Sequence, residues 1–274
     1  MKFAQKLQLA SLILILLLSS CSSNSKNKST KAPETNKKSE LNAISNYLHE
    51  NDALEIRLTM SENQVGAEIM YFMSGNKDIA IKYDMPLILT ESASGKGMIY
   101  LEGEPVPGTE VYFYKNKATN KQIQILTQTW PDINGQNGNQ SLSDGLLATT
   151  RHDDENWLGF YGVPAGIKFD LGEIIVVEEI CIRFLQDVDN RIFLPVEILF
   201  SISEDDEYWV PYKNILNRES QEGSAVHIKE FSVAANGEKA RYIKIEAKYP
   251  GPCPQWHVAN NQGCFMFADE VVVE

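Results

Sequence analysis

From Leu54 onward, short apolar runs alternate with polar and turn residues, and their period of two is that of half-buried strands. In the first half of the chain the runs cover residues 54–60, 67–73, 79–83, 87–89, 98–101, 111–114 and 123–126. Turn residues separate them at Ser74-Gly75-Asn76, Ser94-Gly95-Lys96-Gly97 and Pro105-Val106-Pro107-Gly108. This pattern predicts a small all-β domain over residues 41–134, a sandwich of immunoglobulin type. Leu41, Ile44, Tyr47 and Leu48 fall at helical spacing, as a short entering helix or a frayed end would. Residues 134–141 carry no apolar side chain and read as a boundary loop. A second β domain follows over 135–274, with strands expected at 167–171, 178–185, 196–203, 228–233, 242–247 and 265–273.

The N-terminus has a different pattern. Lys2 and Lys6 precede an apolar run from Leu9 to Leu18 that contains one polar residue, Ser11, and Ser19, Ser20 and Cys21 close it. The run is shorter than the about 20 residues a membrane span needs, so 1–20 reads as a cleavable export signal. Leu18-Ser19-Ser20-Cys21 resembles a bacterial lipobox, which implies acylation of Cys21 and a lipid-anchored mature chain. Residues 21–40, rich in Ser, Asn, Lys and Thr and without an aromatic, read as a flexible tether. The expected location is the cell envelope, anchored to the outer membrane on its periplasmic face or at the cell surface.

Charge narrows the partners. The chain carries −12 overall, and beyond residue 40 it has 18 basic against 35 acidic groups. A surface so acidic argues against nucleic acid and anionic head groups. Of the cysteines, Cys181 sits in a strand-like stretch as a small buried thiol, while Cys253 and Cys264 bracket a loop where export permits a disulfide.

The second half carries a family resemblance in Leu142-Ser143-Asp144-Gly145, Trp157-Leu158-Gly159-Phe160, Phe169-Asp170-Leu171-Gly172, Phe193-Leu194-Pro195, Phe200-Ser201-Ile202-Ser203, Arg241-Tyr242-Ile243-Lys244-Ile245 and Asp269-Glu270-Val271. Together these resemble a discoidin domain, the coagulation factor type C or galactose-binding-like fold. With Cys253-Pro254-Gln255-Trp256-His257 they are similar to the module appended to β-N-acetylhexosaminidases of Bacteroides-like bacteria. The resemblance implies a jelly-roll β-sandwich with a ligand, commonly a terminal sugar, at the loops of one end. It also implies a structural calcium ion held by Asp144, Thr149 and Glu270, although an Asx-turn explains Asp144 without metal.

A sugar site needs an aromatic face and planar polar groups that meet hydroxyls in pairs. Trp157 and Trp256 are candidates for the first, and His152, Asp153, Asn190, Arg191 and His257 for the second. No catalytic residues are assigned. Asp153-Asp154-Glu155 and Glu204-Asp205-Asp206-Glu207 read as solvated acidic loops, no Gly-x-Ser-x-Gly elbow occurs, and the hexosaminidase barrel would need about 250 further residues. The expected protein is a lipid-anchored, non-catalytic binder of terminal galactose or N-acetylhexosamine that holds glycans near glycan-processing enzymes or transporters. The alternative is an envelope interaction protein using the same loops for a protein partner.

Overall fold

The computed structural model describes residues 39–76, 79–223 and 225–274. The export signal, Cys21 and the tether up to residue 38 lie outside the described residues. Ser39 and Glu40, expected at the end of the tether, belong to the fold. Ser39 is buried and its hydroxyl donates to the Glu62 carbonyl, while Glu40 exchanges hydrogen bonds with Ser61.

The first strands are β1 (Leu41–Leu48) and β2 (Ala53–Met60), an antiparallel hairpin in register from Leu41↔Met60 to Leu48↔Ala53. The helical spacing of Leu41, Ile44, Tyr47 and Leu48 is therefore misleading. Eight backbone pairs with β2 satisfy groups a helix would have satisfied internally, and Ile44 is left exposed. Then come β3 (Ala67–Met73), β4 (Ile81–Lys82), β5 (Leu87–Leu89), β6 (Ala93–Leu101), β7 (Glu104–Pro105) and β8 (Val111–Lys115). β1, β2 and β5 form one sheet, and β8, β6, β3 and β4 run side by side in another. Between them Leu54, Ile56, Leu58, Ile99 and Phe113 make a core.

Ser94-Gly95-Lys96-Gly97, which reads as a turn, lies inside β6. Its glycines serve packing. A Cβ on Gly95 would stand 2.5 Å from Phe113 Cζ, and one on Gly97 would stand 2.7 Å from Leu58 Cδ1.

The remaining strands are β9 (Gln122–Ile125), β10 (Leu146–Leu147), β11 (Leu158–Tyr161), β12 (Ala165–Gln186), β13 (Glu197–Ser203), β14 (Val210–Leu216), β15 (His227–Lys248) and β16 (Phe265–Val273). They pair in the order β11-β16-β12-β15-β13-β14, with β9 also on β12; the β10 strand instead joins β8 in the first part's sheet. β12 and β15 each merge two expected strands. They remain paired with each other and turn through register shifts between Asp170 and Ile175 and between Val177 and Glu179. The first stretch of β12 meets β9 and the second meets β16, so the paired strands wrap one core. Phe160, Phe169, Phe184, Phe200, Phe231 and Ile243 fill it.

One segment falls on the other side of the expected boundary, and the boundary loop itself is fixed. β9, read as part of the first domain, pairs from Ile167↔Ile125 to Asp170↔Gln122 in the C-terminal sheet. Residues 134–141 are no free linker, because Gly135 and Gln136 donate to the Trp157 and Glu155 carbonyls. The two β parts make one compact unit, Ser39–Glu274. Besides the β8–β10 pairing, the Tyr114 hydroxyl donates to Glu274 Oε1 at 2.8 Å, and Asn116 Oδ1 accepts from Val273 N at 3.1 Å.

Candidate functional site

Three loops meet where β12 ends and β16 begins: residues 149–157, 187–192 and 250–264. Asp187 and Ile192 bridge the ends of the middle loop, and Ile192 also bridges Phe265. Arg191 completes the turn at φ 62, a left-handed conformation that is costly for a side chain with a Cβ. The ring nitrogen Nδ1 of His152 lies 3.3 Å from Asn190 Nδ2 and 3.5 Å from Asp187 Oδ2. Asn190 also donates to Asp187 Oδ2 at 2.7 Å, so a buried carboxylate orients both exposed polar groups. Arg191 points the other way, donating to Gln262 Oε1 at 3.1 Å with its guanidinium 5.8 Å from the Phe265 ring centre. His152, Asn190 and Arg191 therefore share one neighbourhood, while Asp153 is held by a two-point contact with Arg151.

Trp157 and His257 have structural roles instead. Trp157 is buried against Leu185, Ile192 and Phe267, and its indole N–H donates to the Thr149 and Arg151 carbonyls. That N–H binds the loop to the core and leaves no ring face for a ligand. His257 is buried, with Nε2 2.6 Å from the Val188 carbonyl and Nδ1 accepting from Ala259 N at 2.9 Å. These contacts assign a neutral ring with the proton on Nε2. His257 thus pins the third loop to the turn that carries Asn190.

Its neighbour Trp256 is 41% exposed and rests on Phe193 with ring centres 6.0 Å apart. Beside it opens a cleft of about 240 Å³ lined by Phe193, Val196, Pro250, Pro252 and Pro254. Cys253 and Cys264 lie under this loop as free buried thiols, not as a disulfide. Burial pushes the Cys264 thiol up to about 11, far from reactive at neutral pH. Sequence reasoning missed Asp187 and Gln262, which no motif marks. It also missed the half-buried ring cluster of Trp130, Tyr161 and Phe265, whose members are far apart in sequence.

The residues expected to hold calcium separate into two groups. Asp144 and Glu270 are buried together at Gly145: Glu270 accepts from Gly145 N at 3.2 Å, and Asp144 Oδ1 accepts from Leu146 N at 2.9 Å. Burial, opposed by hydrogen bonds from Asn137 and Leu146, pushes Asp144 up to about 7. Glu270 is raised by burial and by the nearby Asp144 and Asp269. Asp269 is paired with Arg183, but among the described residues neither Asp144 nor Glu270 has an ion-pair partner. Thr149 instead donates its hydroxyl to Asp154 Oδ2 at 2.7 Å. Among the described residues no three His, Cys, Asp or Glu side chains form a metal cluster, so a cation here would need backbone carbonyls as well.

The sequence matches no family model and no curated protein. Solved structures resemble its C-terminal part. A Streptococcus pneumoniae fucose binding module is 17% identical, covering 58% of this chain and 97% of that one, with a TM-score of 0.38. The lectin domain of lectinolysin complexed with Lewis B antigen is 19% identical, covering 58% and 96%, with a TM-score of 0.39. A Clostridium perfringens module in complex with GalNAc-β-1,3-galactose is 16% identical, covering 56% and 94%, with a TM-score of 0.36.

Proposed function

We propose that this chain is a non-catalytic, lipid-anchored carbohydrate-binding protein that takes terminal galactose or N-acetylhexosamine at the end of its C-terminal sandwich. The observation that carries the reading is an exposed indole, Trp256, on the loop that His257 pins to the turn carrying Asn190 and Arg191, with His152 beside Asn190 on the next loop. An indole face covers the C–H surface of a pyranose, and paired planar donors and acceptors meet its hydroxyls. Titration with galactose and N-acetylgalactosamine tests it through tryptophan emission. Saturable quenching is the expected result, and a flat response to both sugars opposes it.

A protein partner in the envelope is the second reading. Val258, 98% exposed two residues beyond Trp256, is the observation that favours it. Acylation at Cys21 would place either activity on the outer membrane, near glycan-processing enzymes or transporters.

Calcium belongs to the same proposal, with Asp144 and Glu270 as its side-chain ligands. Two buried carboxylates without a cation each cost free energy when ionised, and calcium would offset that cost and pin the loop after Ser143. In chelator, stability should fall as pH rises. The folded state holds the Asp144 proton up to about pH 7, whereas an unfolded Asp releases it near 4, so the folded state binds more protons between those values. Calcium should raise the melting temperature at pH 8 and flatten this decline. Identical melting curves in calcium and chelator at pH 8 would remove the metal from the account.

A further inference from the structure

The described surface also holds a cleft remote from these loops, at the junction of the two β parts. It has a volume of about 320 Å³, within the range of small-ligand sites. Asp52 from the turn after β1, residues 90–92 before β6, the β8–β9 connection and the bend of β12 enclose it. Its charges are sorted by depth. Lys115 lies at the floor with its side chain 8% exposed, beside the buried Thr119, while Lys121 is half-buried in the wall. The Lys115 ammonium contacts Asp52 at 3.4 Å, a long pairing to a carboxylate that is 73% exposed and already held by the Tyr47 hydroxyl. Glu91 and Glu173 are exposed at the rim with Lys117, whose ammonium donates to the Val176 carbonyl.

Among the described residues this buried ammonium, with three donors, makes one long contact and is underused, and burial makes a second partner worth more. The rim carboxylates sit in solvent, where their repulsion of an anion is screened, and they can accept hydrogen bonds from hydroxyls. We propose that this cleft binds an acidic saccharide, its carboxylate or sulfate group on Lys115 and Lys121 and its hydroxyls on Asp52, Glu91 and Glu173. In a chain so acidic, a buried lysine with a second one in the wall selects for such a group.

The test titrates the full chain, held in mild detergent, with glucuronate and sulfated galactose beside glucose and galactose, following amide shifts. The acidic sugars should shift the amides of Ser92 and Thr119 and bind at least about tenfold tighter than their neutral parents, the range of a charge-assisted hydrogen bond. Lys121→Ala should remove about that tenfold while leaving neutral sugars at the loop end unaffected. Lys115→Met should weaken the acidic sugars further; because it alters a buried residue, the partly exposed Lys121 carries the test. Equal affinity for acidic and neutral sugars, no shift at the cleft, or an unchanged Lys121→Ala would overturn the inference. Displacement by an equal concentration of inorganic sulfate would overturn its saccharide part. Shifts at the cleft with a loop end silent to galactose, and to N-acetylgalactosamine added to the same series, would refute the proposed function and leave this inference standing.

Discussion

Gly145→Ala is expected to cost about 3 kcal/mol of stability, the sum of left-handed backbone strain and overpacking. Gly145 has φ 79, and a Cβ there would collide with Leu54 Cδ2 and stand 3.2 Å from the Tyr114 carbonyl. Its own carbonyl accepts from Tyr114 N at 2.8 Å, and its N–H donates to Glu270. Leu54 is packed in the core with little room to turn away, and the backbone at Gly145 is held from both sides. A domain of this kind has roughly 5 to 15 kcal/mol in total, so the loss is a large share of it. Denaturant titration reads the effect, and a loss under about 1 kcal/mol would show that the two parts adjust to each other more freely than their contacts imply.

Trp256→Ala is expected to weaken sugar binding roughly 30-fold, the loss of about 2 kcal/mol typical of an aromatic anchor. The side chain is partly exposed and stands on Phe193 at the rim of the fold, so the melting temperature should stay close to that of the native chain. Trp157→Ala should do the reverse, because Trp157 packs in the core and ties down two loop carbonyls. Calorimetric titration beside thermal melts separates the two. Equal loss of affinity in both variants would move the sugar away from Trp256.

The contrast between these tryptophans shows where sequence reading stops. Strands such as Ala53–Met60 and Gln122–Ile125 are legible because alternation and burial agree. Ser94-Gly95-Lys96-Gly97 is not, because glycine that makes room for Phe113 looks the same in sequence as glycine that turns a chain. Residues 134–141 mislead for a related reason. A polar stretch can be fixed by backbone hydrogen bonds, which carry no side-chain signature. The loop positions of His152, Asn190, Arg191 and Trp256 are legible from residue type and context. Burial of Trp157 and His257 is not, since each buries a polar atom against a carbonyl from another part of a loop. The partnership of Asp187 with His152 spans 35 positions and has no local pattern.

The central claim is that the loop end of the C-terminal sandwich binds a terminal sugar. A glycan-array screen of the chain, run in calcium and again in chelator, tests it most directly. The account predicts saturable binding to one class of terminal galactose or N-acetylhexosamine, weaker in chelator and lost in Trp256→Ala. A blank array from protein that melts cooperatively would contradict it and turn the same loops over to a protein partner.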